Sequence, residues 1–160
     1  MIKPEGTIHK LYTSFQVRDW KTMQSCYHEE AAFSDPVFQD LNGREVRAMW
    51  HMLVAAARDL KVIVGEVEAS EGEGGCRWQA WYTFSKTGRP VHNIIRASFL
   101  FKDGKIIRHR DDFDFWRWSG MALGLPGTLL GWTPLLRNKV RKTARKALVQ
   151  FMGENPQYKR

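Results

Sequence analysis

Between Arg58 and Leu60 of this 160-residue chain the spacing of apolar residues changes from helical to alternating, and that change decides what the body of the chain can fold into. Before it, apolar positions recur every three or four residues. After it they alternate. Leu60–Ser70, Cys76–Ser85, Val91–Phe101 and Lys105–Phe115 read as successive strands rich in Trp, Tyr, Phe and Ile. The links between them are short and turn-like: Glu71-Gly72-Glu73-Gly74-Gly75, Lys86-Thr87-Gly88-Arg89-Pro90 and Lys102-Asp103-Gly104. Links of this length join antiparallel neighbours, because a parallel crossover needs a dozen or more residues. Helices first and hairpin-linked strands after them predict an α+β domain with one curved antiparallel sheet covered by helices.

The first half supplies that cover. Ile8, Leu11, Tyr12 and Phe15 give Pro4–Arg18 one apolar face, and Pro4 suits a first helical turn. Asp19 can cap a second short helix carrying Trp20, Met23 and Tyr27. Ala31-Ala32-Phe33-Ser34 reads as a short strand stopped at Asp35-Pro36. Asn42-Gly43 then opens a helix over Arg44–Arg58, with Val46, Met49, Trp50, Leu53, Val54 and Ala57 on its apolar side.

Composition narrows the function classes. Hydrophobic residues at 43% and charged residues at 26% exclude disordered and fibrous chains. Cys26 and Cys76 are too few and too far apart for a disulfide framework or a zinc site, so each reads as a small buried hydrophobe. Met1–Lys10 has no apolar leader, and a reduced, cytoplasmic protein is expected. The chain carries no G-x-G-x-x-G, Walker loop, H-E-x-x-H, G-x-S-x-G or C-x-x-C, so no cofactor and no metal are expected.

Net charge is +8, all of it at the C-terminal end. Residues 1–115 hold 16 Lys/Arg against 16 Asp/Glu, whereas 116–160 hold nine Lys/Arg against the single acid Glu154. The boundary is accordingly read as a pocket domain over 1–116 and an extension over 117–160. Ser119–Leu136 is free of charge but broken by Pro126, Pro134 and several glycines, which argues against a membrane span. Thr133-Pro134 starts a helix well. Leu136, Val140, Ala144, Ala147, Leu148 and Phe151 form its apolar stripe, with Lys and Arg around the rest. Such a helix suits packing on the domain or on a second subunit, weak contact with an anionic membrane surface, or nucleic acid. The neutral body offers no basic patch to continue the last, so no nucleic-acid partner is expected.

The run Cys26-Tyr27-His28-Glu29-Glu30-Ala31-Ala32-Phe33-Ser34-Asp35-Pro36, the Asn42-Gly43 helix start and Phe99-Leu100-Phe101-Lys102-Asp103-Gly104-Lys105-Ile106 resemble, in order and spacing, the SnoaL-like (nuclear transport factor 2-like) superfamily over about residues 5–115. That resemblance implies a cone in which N-terminal helices wrap a curved sheet around a hydrophobic pocket, a small hydrophobic organic ligand and a homodimer. It implies that Asp35 stands where ketosteroid isomerases of this superfamily carry their general base. Those enzymes pair the base with an oxyanion hole of a Tyr and a protonated Asp. Here Leu11 takes the place of that Tyr, with Tyr12 one position away, and Ala97 takes the place of that Asp. A steroid-isomerase mechanism is therefore not expected.

If the position of Ala97 faces the pocket, strand alternation puts Asn93 and Phe99 inward with it. It also turns Trp78, Tyr82 and Phe84 inward, and, on the last strand, Ile107, His109, Asp111 and Phe113. Arg108, Arg110, Asp112 and Asp114 then point out, and a bulge would exchange the sets. Asp35, His109 and Asp111 form the candidate catalytic set. His109 and Asp111 are side by side on one face, where the carboxylate favours an imidazolium suited to a general acid. Tyr12, Trp50, His51, Trp78, Tyr82, Phe84, Asn93, Phe99 and Phe113 are the candidate ligand contacts. Arg96 or Arg110 with Asp111 or Asp112 imitates the Asp-Arg-Asp set of limonene-epoxide hydrolases, but both arginines are read as outward. Two function classes follow. One is cofactor-independent isomerisation, cyclisation or hydrolysis by an Asp/His acid–base pair. The other is a ligand-binding or interaction module without chemistry, in which Asp35 merely closes its turn.

Overall fold

The computed structural model describes residues 2–159. Helices α1 (Pro4–Gln16) and α2 (Trp20–Ser25) lead into β1 (Tyr27–Ser34), and α3 (Gly43–Ala56) into the strands β2 (Lys61–Ala69), β3 (Glu73–Phe84), β4 (Arg89–Lys102) and β5 (Lys105–Asp112). The C-terminal part is helical: α4 (Phe115–Leu123), α5 (Leu125–Leu130), α6 (Pro134–Glu154) and a final 3₁₀ turn, Pro156–Tyr158. The sheet order is β1-β5-β4-β3-β2. Strands β2 to β5 form the expected antiparallel meander, and β1 adds a parallel edge to β5.

The helix starts follow from their caps. The Asp19 carboxylate accepts from the Thr22 N–H at 3.1 Å. Asn42 Oδ1 accepts from the Glu45 N–H at 2.9 Å while Glu45 Oε1 accepts from the Asn42 N–H at 3.1 Å, a complete capping box. Gly43 is required beside it, because a Cβ there would lie 2.1 Å from the Glu29 carbonyl oxygen of β1. Asn42→Ala is expected to cost about 1 kcal/mol of unfolding free energy, read as a lower urea midpoint at unchanged m.

Three local readings are corrected. Tyr27, expected on the second helix, begins β1: the Ile106 N–H donates to the Cys26 carbonyl at 2.9 Å and ties this segment to the sheet instead. Ile106 rather than Ile107 is buried, since the register slips from Leu100↔Arg108 to Phe101↔Ile106 and Ile107 is the extra residue of a bulge. Beyond it the expected alternation holds, with His109 and Asp111 inward. The last strand stops at Asp112 instead of Phe115, because the Asp114 carboxylate accepts from the Arg117 N–H at 3.0 Å and caps α4.

Helix α6 lies against the domain. Leu148 is fully buried in the main core, with Ala144, Phe151 and Met152 packed beside it. Arg145 pairs with Glu45 of α3, and Arg141 Nε donates to the Pro36 carbonyl at 3.0 Å. Tyr158 closes the end, its hydroxyl bonded to Gln24 at 2.7 Å and His51 at 2.9 Å. The stripe read in the sequence therefore faces inward, and the cationic side chains of Lys142 and Lys146 stay in solvent.

Candidate functional site

A cavity of about 660 Å³ opens between the concave face of the sheet, α3 and the C-terminal helices. Trp78, Ala80, Tyr82 and Phe84 line it from β3, and Asn93 and Ile95 from β4. Trp50 and Leu53 reach it from α3, and Phe113 from the end of β5. Its fourth wall is the tail, through Trp118, Leu136, Val140 and Ala144. Against this mostly apolar lining stand two carboxylates, Asp35 and Asp111.

Asp35 sits in the turn after β1. Its Oδ1 accepts from the Val37 N–H at 2.7 Å and the Phe38 N–H at 2.6 Å. The turn-closing and cavity-facing readings of this residue thus hold together: one oxygen is used by the turn and the side chain still lines the cavity. Removal from bulk water is the largest influence on its acidity, and the nearby charge of Asp111 adds to it. The two amides and Arg141 oppose them, and the balance raises the pKa from 3.8 to about 7.

Asp111 is held from behind by a chain of hydrogen bonds. Trp50 Nε1–H donates to Tyr27 Oη at 2.8 Å, and Tyr27 O–H donates to His109 Nδ1 at 2.8 Å. His109 Nε2–H donates to Asp111 Oδ1 at 2.8 Å, and Trp78 Nε1–H donates to the same oxygen at 3.3 Å. With the His109 proton on Nε2 every proton in this chain meets an acceptor, whereas a proton on Nδ1 would leave that of Tyr27 without one, so the hydrogen bonds assign the Nε2–H tautomer.

His109 itself does not reach the cavity. It is fully buried behind it, with Phe99 at 4.4 Å and Phe33 at 4.9 Å between ring centroids. Both its nitrogens are engaged, so the sequence expectation of a ligand-facing general acid is corrected to a group that fixes Asp111. Three other candidates also lie off the cavity. Tyr12 is buried beneath Trp78, 5.3 Å away, in the core under the sheet. Phe99 is buried against His109, deeper along β4 than the cavity extends. His51 follows Trp50 by one residue, a rotation of roughly 100° about α3, and stacks on Trp20 at 3.7 Å on the far side. Trp50, Trp78, Tyr82, Phe84, Asn93 and Phe113 do line the cavity.

The sequence reading passed over Tyr27, whose hydroxyl links Trp50 to His109, and the tail residues that form a wall. Tyr82 and Asn93 add polar groups to the lining, which also includes Thr83, Ser85, Lys86, Lys139 and Thr143. Tyr82 Oη accepts from Trp118 Nε1–H at 2.9 Å and keeps its own proton to donate. Burial, and secondarily the charge of Asp35, raise its pKa, so it remains a neutral phenol. Asn93 is buried with its side chain on the cavity wall. Arg96 and Arg110 are exposed on the opposite face, so no Asp-Arg-Asp arrangement forms in the cavity. Among the described residues no three His, Cys, Asp or Glu side chains converge as a metal site, and no helix is long and apolar enough to cross a membrane.

Comparison with known proteins gives the same architecture. IdmH of Streptomyces antibioticus, a candidate polyketide cyclase, superposes with a TM-score of 0.64 at 21% identity over 76% of this chain and 99% of its own. A candidate polyketide cyclase of Pseudomonas putida gives a TM-score of 0.64 at 11% identity, covering 76% of this chain and 99% of that one. AclR of Streptomyces galilaeus, a candidate hydroxylase, gives 0.60 at 15% identity, with 70% and 89% covered. At such identities the likeness is one of fold. No curated protein matches in sequence. The model of the SnoaL-like domain matches residues 8–109, which span α1 to the His109 network, and the chain belongs to that family.

Proposed function

We propose that the protein binds a flat, apolar organic molecule carrying a carbonyl group and moves a proton on it, in an isomerisation or ring closure that needs no group beyond the chain's own side chains. The observation that supports this most is a pair of carboxylates on one apolar cavity, Asp35 raised to about 7 and Asp111 fixed in place by hydrogen bonds from His109 and Trp78. A carboxylate with a pKa near the working pH is matched to general acid–base work. Asp35 takes a proton from carbon next to the carbonyl, and the electron pair moves onto the carbonyl oxygen as an enolate. Tyr82 O–H and the Asn93 amide are the donors available to that oxygen, in place of the family positions occupied here by Leu11 and Ala97. Asp35 then returns the proton to another carbon, or the enolate carbon attacks a second carbonyl, whose C=O π bond opens to an alkoxide that takes the proton back from Asp35 as the ring closes. Asp111 accepts from a substrate hydroxyl and fixes its orientation.

The test is exchange of α-hydrogens in heavy water, followed by proton NMR, for bicyclic and tricyclic aryl ketones in the presence of the protein. Acceleration that saturates with ketone and is competed by an unreactive hydrocarbon of the same shape supports the reading. Saturable binding of the same ketones without any exchange assigns the cavity to ligand binding alone. In either case the cavity residues Trp50, Trp78, Tyr82, Phe84 and Phe113 would hold the ligand between aromatic faces.

A further inference from the structure

We propose that α5 and the chain flanking it form a docking surface for an anionic lipid bilayer, set at the mouth of the cavity. Large apolar side chains exposed singly on a surface need no explanation. Here Trp116, Leu125, Leu129, Leu130, Trp132 and Leu135 stand between 47% and 80% exposed within one stretch of chain. Leu125 and Leu129 are one turn apart on α5 and share a face. Trp116 Nε1–H donates to the Thr128 carbonyl at 2.8 Å, and Trp132 Nε1–H to the Leu129 carbonyl at 3.0 Å. These bonds pin both rings to α5 and satisfy their polar atoms inside the protein, leaving hydrocarbon to face outward. Behind them α5 rests directly on α4, where a Cβ on Gly127 would come 1.8 Å from the Ser119 carbonyl oxygen. The surface is therefore built, and no other described residue covers it.

Charge selects the occupant. Residues 116–160 carry nine Lys/Arg and one acid, and part of that charge is used internally, by Arg145 on Glu45, Arg141 on Pro36, Arg117 on the His92 carbonyl and Arg137 over the Phe115 ring. Lys139, Lys142 and Lys146 remain exposed and fall, by helical spacing, on the same face of α6 as the exposed Leu135 of the patch. A second copy of the chain would bring the same unbalanced positive charge against itself. An anionic bilayer answers both features, the apolar rings entering the headgroup boundary and the lysines meeting phosphate. The site is placed to matter: Leu123, Pro126 and Leu136, which neighbour the exposed residues in sequence, line the cavity. An apolar ligand dissolved in the membrane then meets the cavity without crossing water.

Flotation with vesicles of phosphatidylcholine containing about 30% phosphatidylglycerol tests this, with pure phosphatidylcholine as the neutral comparison. The whole chain is expected to float with the anionic vesicles and to be released by high salt. Leu129→Asp with Trp132→Asp should lose that binding, and Lys142→Glu with Lys146→Glu should weaken it at least about tenfold, since each cation near the surface contributes about 1 kcal/mol. None of these four residues lines the cavity, so ketone binding should be unchanged in both double variants. The proposal is overturned if the chain fails to float, if it floats equally in the Leu129/Trp132 variant, or if sedimentation shows that variant breaking a dimer while vesicle binding is absent throughout.

Discussion

Asp35→Asn is expected to lower turnover by about 10² to 10⁴-fold while making the protein more stable at alkaline pH. The two effects have one cause. Asparagine keeps an oxygen for the Val37 and Phe38 amides, so the turn survives, but it neither takes a proton nor carries charge into the cavity. The sign follows from the direction of the shift. In the unfolded chain this carboxyl has its ordinary pKa of 3.8, and in the fold it rises to about 7. The folded state binds the extra proton between those values, so stability is full below the unfolded pKa and falls as pH rises through the folded one. The penalty is complete above about pH 7; Asp35 is only half-buried on an open cavity, so solvent screening leaves about 2 kcal/mol of it. Urea denaturation should show the variant and the parent alike at pH 4 and the variant more stable at pH 8. A variant weaker at both pH values would mean that Asp35 serves only to close its turn.

His109→Leu is expected to cost about 3 kcal/mol of unfolding free energy, although leucine fills a similar volume. The loss comes from what remains unpaired. Tyr27 loses the acceptor for its proton, and Asp111 keeps only the longer Trp78 bond while staying buried. Adding Asp111→Leu to His109→Leu should therefore cost less than the sum of the single changes, because the stranded carboxyl leaves with it. The measurement is a double-mutant cycle in urea. A shift below about 1 kcal/mol for His109→Leu would show that the chain of hydrogen bonds is not held as a unit.

How much was legible in the sequence differs between elements. The meander was, because alternation over Cys76–Phe84 and Asn93–Phe99 coincides with burial on one face and the turn residues mark each reversal. The start of α3 was, because Asn42, Gly43 and Glu45 state the cap and its glycine within four residues. Tyr27 was misplaced because six residues of helix give too few turns for periodicity to see an end, and pairing with Ile106 is set by residues far along the chain. The site was half legible. Parity put Asp111 and Asn93 on the cavity, but parity says only which face a side chain is on. His109 shares the face of Asp111 and still sits behind it, because the sheet curves and Phe33, Phe99 and Tyr27 close over that end. The direction of the tail was not legible: its stripe announces an apolar face and carries no information about which surface receives it.

The chain order of the cavity walls has a consequence for how such a protein diversifies. Asp35, Asp111 and the hydrogen-bonded groups that support them all precede residue 113, on the turn after β1, on α3 and on the sheet, whereas Leu136, Val140 and Ala144 close the opposite side from α6. The carboxylates and one apolar wall are thereby written in separate stretches of sequence. Substitutions at Leu136, Val140 and Ala144 can resize or reshape the chamber while the carboxylates and their hydrogen-bonded support stay in register, provided Arg141 keeps its bond to the Pro36 carbonyl.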